Sequence, residues 1–170
     1  MDQLIFITNG TGGCGKDTFA DFMSERVRIM KVSSIDKVKE IARDCGWHGG
    51  KTERDRKFLS DLKLLTTDYS DLAFNDISKS VHRFRKSMTR DVLLIDIREP
   101  AEIERAKKTF GAKTILIVRD GLTPISSNMA DANVNNYDYD YVVYNDGTLE
   151  DFKQTVYDFV DNYILEKESK

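Results

Sequence analysis

The chain has 170 residues, 40 % hydrophobic and 32 % charged, which predicts one ordinary folded domain over residues 1–170. The net charge is −3, from 26 basic and 29 acidic residues, and argues against a nucleic-acid surface as the main function. No basic-then-apolar leader pattern occurs, and no apolar run nears the ~18 residues of a membrane span, so secretion and membrane insertion are not expected.

The first element is a strand at Gln3–Thr8, carrying the apolar run Leu4-Ile5-Phe6-Ile7. Gly10-Thr11-Gly12-Gly13-Cys14-Gly15-Lys16-Asp17-Thr18 follows at once. A helix runs on to about Arg28, with Phe19, Phe22, Met23 and Val27 at helical spacing. Strand, glycines, Lys and helix in that order match the phosphate-binding loop G-x-x-x-x-G-K-[S/T], except that Asp17 stands at the Ser/Thr position. Such a loop turns successive N–H groups toward an anion, and its glycines let phosphate oxygens approach the backbone. The helix start adds the positive end of its dipole, and Lys16 adds a mobile charge for the β- and γ-phosphates. Cys14 and Cys45 are the two cysteines. A disulfide within the loop would be awkward, so a reducing, cytoplasmic setting is expected.

A short strand at Met30–Ser33 leads to a helix with Val38, Ile41 and Ala42, capped by Ser34 or Asp36 and ending near Gly46. Trp47–Thr52 is a loop, and His48 has no Cys or His partner at zinc spacing. Phe58, Leu62, Leu65, Tyr69 and Leu72 step as a helix face; Phe74, Ile77, Val81, Phe84 and Met88 repeat the step after a shift. That shift predicts a kink or two helices meeting near Ser70–Phe74. Val92–Asp96 is a buried strand ending in an acid, and Glu99–Phe110 is a helix with Pro100 in its first turn and Gly111 after its end. Thr114–Val118 is the next strand, Asp120–Asp138 a polar lid-like loop, and Tyr139–Tyr144 the last strand. Leu149, Phe152, Val156, Phe159, Val160 and Tyr163 line the final helix.

Strands alternating with helices predict an α/β fold, a three-layer α/β/α sandwich of the P-loop NTPase type with a mainly parallel five-stranded sheet. Ligands of such sheets bind beyond the carboxyl ends of the strands. The glycine loop, Asp36, Asp96–Arg98 and Arg119 all fall there.

Phosphoryl transfer needs charge neutralisation and alignment more than covalent chemistry. Asp96 suits Mg²⁺, or a cap on the following helix. Arg98 suits an acceptor phosphate held by two parallel hydrogen bonds, or a surface pair with Glu99 or Glu102. Asp36 suits orientation or deprotonation of an acceptor, or a plain helix cap. Lys39, one turn on, meets an anionic substrate or only solvent. His82, Arg83, Arg85, Lys86 and Arg90 form a basic run, from which Arg85 or Lys86 is a candidate for the phosphates.

The G-K-D-T ending of the loop resembles that of phage-type deoxynucleoside monophosphate kinases, and more loosely that of dephospho-coenzyme A and animal-type phosphomevalonate kinases. Ser34–Ile41, Trp47-His48-Gly49-Gly50-Lys51 with Arg54–Leu62, Asp96-Ile97-Arg98-Glu99 with Glu102, Val118-Arg119 and Asn145-Asp146-Gly147-Thr148-Leu149 are similar to that family's segments in order and spacing. The resemblance implies ATP-dependent phosphorylation of a (deoxy)nucleoside monophosphate or similar small phosphate ester, with ATP and Mg²⁺ as cofactors. It implies ATP binding by Gly10, Gly12, Gly13, Cys14, Gly15, Lys16, Asp17, Thr18, Arg119, Asn145 and Gly147. It places Asp17 and Asp96 at the metal, Lys16, Asp36 and Arg98 at the chemistry, and Asp36, Lys39, Arg85 and Arg98 on the substrate side.

One departure stands out. Nucleoside monophosphate kinases commonly carry lid arginines, but Asp120–Asp138 holds no Arg and no Lys. Either Arg85 or Lys86 takes that role, or catalysis is weak. Two alternatives therefore stay open: a kinase for another metabolite such as a dephospho-coenzyme A-like alcohol, and a nucleotide-binding protein without transferase activity.

Overall fold

The computed structural model describes residues 3–122, 134 and 137–165. Five strands form one parallel sheet: β1 (Leu4–Asn9), β2 (Ile29–Ser33), β3 (Val92–Asp96), β4 (Lys113–Val118) and β5 (Tyr141–Tyr144), in the order β2-β3-β1-β4-β5. Each neighbouring pair is parallel, so each connection has to cross a face of the sheet. The crossings carry α1 (Lys16–Ser24), α2 (Asp36–Asp44), α3 (Glu53–Ser70), α4 (Leu72–Lys86) and α5 (Pro100–Phe110); α6 (Leu149–Val160) follows β5 and runs into a wider turn at Asp161–Leu165.

The inner strands β1, β3 and β4 are mostly buried on both faces, which is why they read as continuous apolar runs. Side chains alternate between the faces. Phe6, Leu94, Ile115, Ile117 and Val143 meet Phe19 and Met23 of α1 and Phe152, Val156 and Phe159 of α6. Ile5, Ile7, Leu93 and Ile95 meet Ile77, Val81 and Phe84 of α4 and Ile103 and Ala106 of α5. On the first face Phe159 stands edge-on to both Phe6 and Phe19.

The phase shift near Ser70–Phe74 is a true break between two helices. Asp71 adopts a left-handed conformation, φ 52°, that L residues seldom take. Its carboxylate accepts 2.9 and 2.5 Å hydrogen bonds from the Arg105 guanidinium, which ties the break to α5. The apolar step predicted for α3 is only partly used, since Leu64, Leu65 and Tyr69 are exposed.

Two boundaries differ from the sequence reading. α1 stops at Ser24 rather than near Arg28, because the chain tightens as Arg26 and Val27 both donate to the Met23 carbonyl. Val27 is still buried, through this turn. β5 starts at Tyr141, two residues late, because Asp140 bonds Thr114 through its side chain rather than through the ladder. Most of the Asp120–Asp138 segment read as a lid lies outside the described residues. Among the described residues no helix is long and apolar enough to cross a membrane.

Asp91, just before β3, accepts from the Arg28 backbone at 3.1 Å and from its guanidinium at 2.9 and 2.5 Å. That hydrogen bonding holds the Asp91 carboxyl below its ordinary range, although burial opposes it. A depressed folded-state pKa stabilises above the unfolded value and is lost as pH falls through the folded one. Asp91→Asn should therefore flatten the acid limb of the stability–pH curve and lower stability at neutral pH, as read by urea denaturation from pH 7 to pH 2. Phe19→Ala, at a fully buried site in the α1 face, should cost ~3–5 kcal/mol in the same assay at neutral pH.

Candidate active site

The carboxyl edge of the sheet gathers the ends of β1, β2, β3 and β4. The loop Gly10–Gly15 leaves β1 there and delivers the chain into α1. Gly10 is at φ 149°, and a β-carbon on it would fall 2.4 Å from the Ile117 carbonyl oxygen and 2.5 Å from Cys14 Sγ. The loop is thus pressed against β4, and only glycine fits. Gly15, at φ 105°, faces Asn145, whose Nδ2 a β-carbon would approach to 2.6 Å. Asn145 Nδ2 also donates to the Cys14 carbonyl at 2.9 Å, and its backbone N–H donates to Val118. Asn145 therefore pins the loop from the β5 side.

The start of α1, like those of α2, α4 and α5, carries no side-chain cap, and so differs from those of α3 and α6. α3 and α6 are closed by capping boxes, Thr52 with Asp55 and Thr148 with Asp151. α1 begins after left-handed Gly15 with no side-chain cap, so its first N–H groups face the loop. Lys16 folds back over that loop, donating to the Gly10 carbonyl at 2.6 Å and lying 3.4 Å from the Thr11 carbonyl.

Asp17, in the first turn of α1, has a side chain 93 % exposed. It is hydrogen-bonded to the ammonium of Lys31, a residue of β2. That bond lowers the Asp17 carboxyl below its ordinary value against a desolvation penalty, with help from the charges of Lys31, Lys16 and Lys39. Lys31 Nζ also lies 3.5 Å from Asp96 Oδ2. Burial works against the Lys31 charge, but Asp17 and Asp96 outweigh it and raise its pKa. The other Asp96 oxygen accepts the hydroxyl of buried Thr8. Asp17 and Asp96 thus face one cation from two sides, a hard-oxygen donor set that suits Mg²⁺. Among the described residues no cluster of three or more His, Cys, Asp or Glu side chains is placed to hold a metal. Two carboxylates with phosphate and water oxygens completing the shell is how Mg²⁺ is usually held.

The remaining sequence candidates divide. Asp36 opens α2, and its Oδ2 accepts the Ser33 N–H at 2.7 Å, so it closes the end of β2 rather than capping the helix it begins. Lys39 is one turn along α2, and its charge is felt at Asp17. Arg98 follows β3, and its carbonyl accepts from Asn9 at 3.1 Å. Arg119 follows β4 and is exposed, and Gly147 packs on Asp151 of the α6 cap. Gly12, Gly13, Cys14 and Thr18 lie within the loop and the first turn of α1.

Arg85 is a correction. It ends α4 at the opposite, amino edge of the sheet, where it donates to the Phe110 carbonyl at 3.0 Å. Gln3, just before β1, bonds the adjacent Phe84 carbonyl at 2.8 Å. β3 then travels its full length before reaching Asp96, so Arg85 and Lys86 belong to the wrong end of the strand.

Four contributors were missed in the sequence: Lys31, Thr8, Asn9 and Tyr139. Nothing in the sequence around Lys31 marks a site. Thr8 and Asn9 end a strand without marking a motif, yet Asn9 is fully buried, donates to Tyr139 Oη at 2.8 Å and accepts the Gly10 N–H at 2.8 Å. Tyr139 Oη in turn donates to the Val134 carbonyl at 2.9 Å, tying the chain before β5 to the loop. Beside the site, under the ends of β2 and β3, a cavity of about 40 Å³ is lined by Ser34, Ile97, Thr67, Phe74, Glu102 and Arg105. Thr67 Oγ1 is buried and has no hydrogen-bond partner among the described residues.

No protein-family model matches the chain, and no curated protein sequence matches it. Solved structures do resemble it. TT1252 from Thermus thermophilus superposes with a TM-score of 0.53 at 17 % identity, over 96 % of this chain and 99 % of that one. Dephospho-CoA kinase from Campylobacter jejuni gives 0.52 at 15 % identity, over 94 % and 96 %. Shikimate kinase from Bacteroides thetaiotaomicron gives 0.50 at 13 % identity, over 93 % and 97 %. At these identities the likeness speaks to fold: the chain has the three-layer α/β/α fold of P-loop NTPases.

Gly10→Ala should lower stability by ~1–3 kcal/mol through overpacking against β4, measured as a shift of the urea midpoint. Gly13→Ala, with no atom within 4 Å of the added carbon, meets only the strain of φ 84° and should cost less in the same measurement.

Proposed function

We propose that this chain is an ATP-dependent small-molecule phosphotransferase, and that its acceptor is a (deoxy)nucleoside monophosphate or a similar small phosphate ester. The observation that carries this is the start of α1, with no side-chain cap, behind a loop in which Gly10 and Gly15 leave no room for a β-carbon, beside the carboxylates of Asp17 and Asp96 at the same sheet edge. The names of two structural neighbours, dephospho-CoA kinase and shikimate kinase, support a kinase reading. The G-K-D-T loop favours the nucleotide acceptor.

In this reading Gly10–Gly15 and the first N–H groups of α1 hold the donor phosphates. Lys16 exchanges its carbonyl partners for phosphate oxygens, and Asn145, Gly147 and Arg119 surround the adenosine. Asp17 and Asp96 hold Mg²⁺, which screens phosphate charge when bound. Arg98 grips the acceptor phosphate and Asp36 orients the acceptor. Lys16 and Lys39 supply the positive charge that residues 120–138 lack. The two cysteines are free, which suits a reducing, cytoplasmic setting.

One observation favours a second reading, a hydroxyl acceptor. The Ser33 N–H holds the Asp36 carboxylate at the strand end, where a base would be needed. Arg98→Ala should hurt most if the acceptor is a phosphate, and Asp36→Asn if it is a hydroxyl.

A coupled assay of ADP release over a panel of monophosphates and phosphorylated alcohols tests the proposal. At least one acceptor should raise the rate above that with ATP alone; if none does, a nucleotide-binding role without transfer takes its place. Lys16→Ala should lower kcat/KM with that acceptor about 10²–10³-fold. Asp17→Ser should keep nucleotide binding but shift the Mg²⁺ dependence, and an unchanged Mg²⁺ titration would remove Asp17 from the metal.

A further inference from the structure

Lys31, like Thr8 and Asn9, takes part at this edge without belonging to any motif. It stands opposite Leu94 in the parallel register of β2 and β3. Leu94 belongs to the face covered by α1, so Lys31 rises along that face toward the start of α1. Its side chain is 29 % exposed, although β2 is an edge strand where a lysine has easy access to water. Instead the ammonium is drawn between Asp17 and Asp96. With Thr8 on the far oxygen of Asp96, both carboxylates are satisfied without any ion.

A divalent cation needs those same oxygens. An ammonium and a divalent ion repel each other and cannot share the space between two carboxylates. We propose that Lys31 is a resident cation that keeps the Asp17–Asp96 pair closed and must leave when a divalent ion enters. This deepens the kinase reading and rests on it for the role of the two carboxylates. Lys31 makes metal binding to the nucleotide-free chain weak, and so links metal entry to arrival of the phosphates, whose charge compensates for the exchange. It also gives the displaced ammonium a position near the incoming phosphates.

The test uses Mn²⁺ as the probe, titrated into the full nucleotide-free chain and followed by electron paramagnetic resonance. Lys31→Met keeps the apolar stem and removes the charge. It should bind Mn²⁺ about tenfold more tightly than the native chain, the factor that ~1.4 kcal/mol of relieved competition gives. Lys31→Arg should stay within about twofold of the native affinity, since a charge of the same sign remains. Without metal Lys31→Met should melt below the native chain, and Mn²⁺ should restore it; that recovery also shows that the variant folds.

Equal Mn²⁺ affinity in the native and Lys31→Met chains overturns the proposal, including the case where neither binds the ion. Weaker binding by Lys31→Met overturns it too, because Lys31 would then be holding the carboxylates in place for the metal. Metal-free ADP, in a thermal-shift titration of the native chain, reads the phosphate loop separately. A missing ADP shift with the tenfold Mn²⁺ effect intact sinks the nucleotide reading alone. A clear ADP shift with equal Mn²⁺ affinities sinks the Lys31 exchange alone.

Discussion

The loop after β1 has to pass between the carboxyl end of β4 and the side chain of Asn145, and it has no spare volume on either side. Gly10 meets the Ile117 carbonyl, and Gly15 meets Asn145. This close passage sets the direction in which α1 leaves the sheet. The direction of α1 in turn decides where Lys16 and Asp17 stand, and which face Phe19 and Met23 bury. A parallel sheet supplies the other half of the constraint. Because all five strands run the same way, every strand end that carries chemistry arrives at one edge, and the opposite edge is left to structural contacts such as Gln3 with Phe84.

Charge at that edge is balanced inside the protein. Asp17, Asp36 and Asp96 are matched by Lys16, Lys31 and Lys39, and each of the three carboxylates has a specific partner: Lys31 for Asp17 and Asp96, the Ser33 N–H for Asp36. Lys16 spends its donors on loop carbonyls. With these partners in place, a ligand would reach Lys16 and the carboxylates by exchanging partners with them. Ligands that bring negative charge together with a cation suit such an exchange, since neither sign is left uncompensated along the way.

The part of the molecule formed by α3, α4 and α5 is built differently. Helix α3 is held to its neighbours by polar ties, Asp71 with Arg105 and Lys63 with Glu102, whereas α4 and α5 share an apolar core through Ile77, Val81, Phe84, Ile103 and Ala106. No residue of α3 is fully buried, and Tyr69 is 90 % exposed. Elements with so little buried surface open at lower free energy than the sheet they rest on. Under the proposed phosphotransferase reading, such a loosely held segment suits closure around a bound acceptor.

By itself the sequence determined the fold class, the element order and the phosphate loop, because each is written in local periodicity or in glycines that a tight backbone demands. The strand before the loop carries the apolar run Leu4–Ile7 because both its faces are covered, and that burial is legible as a run. The break between α3 and α4 showed in the phase of Phe58–Met88. What the sequence could not carry was adjacency between strands distant in the chain. Arg85 lies seven residues before Val92 and looked close to Asp96, but a helix that ends at the amino edge is a strand length from the site. Nothing in the sequence around Lys31 marks a site, and only the order β2-β3-β1 with the register of Lys31 on Leu94 brings it to Asp17 and Asp96. Thr8, Asn9 and Tyr139 were silent for the same reason: their roles depend on partners that tertiary packing alone supplies.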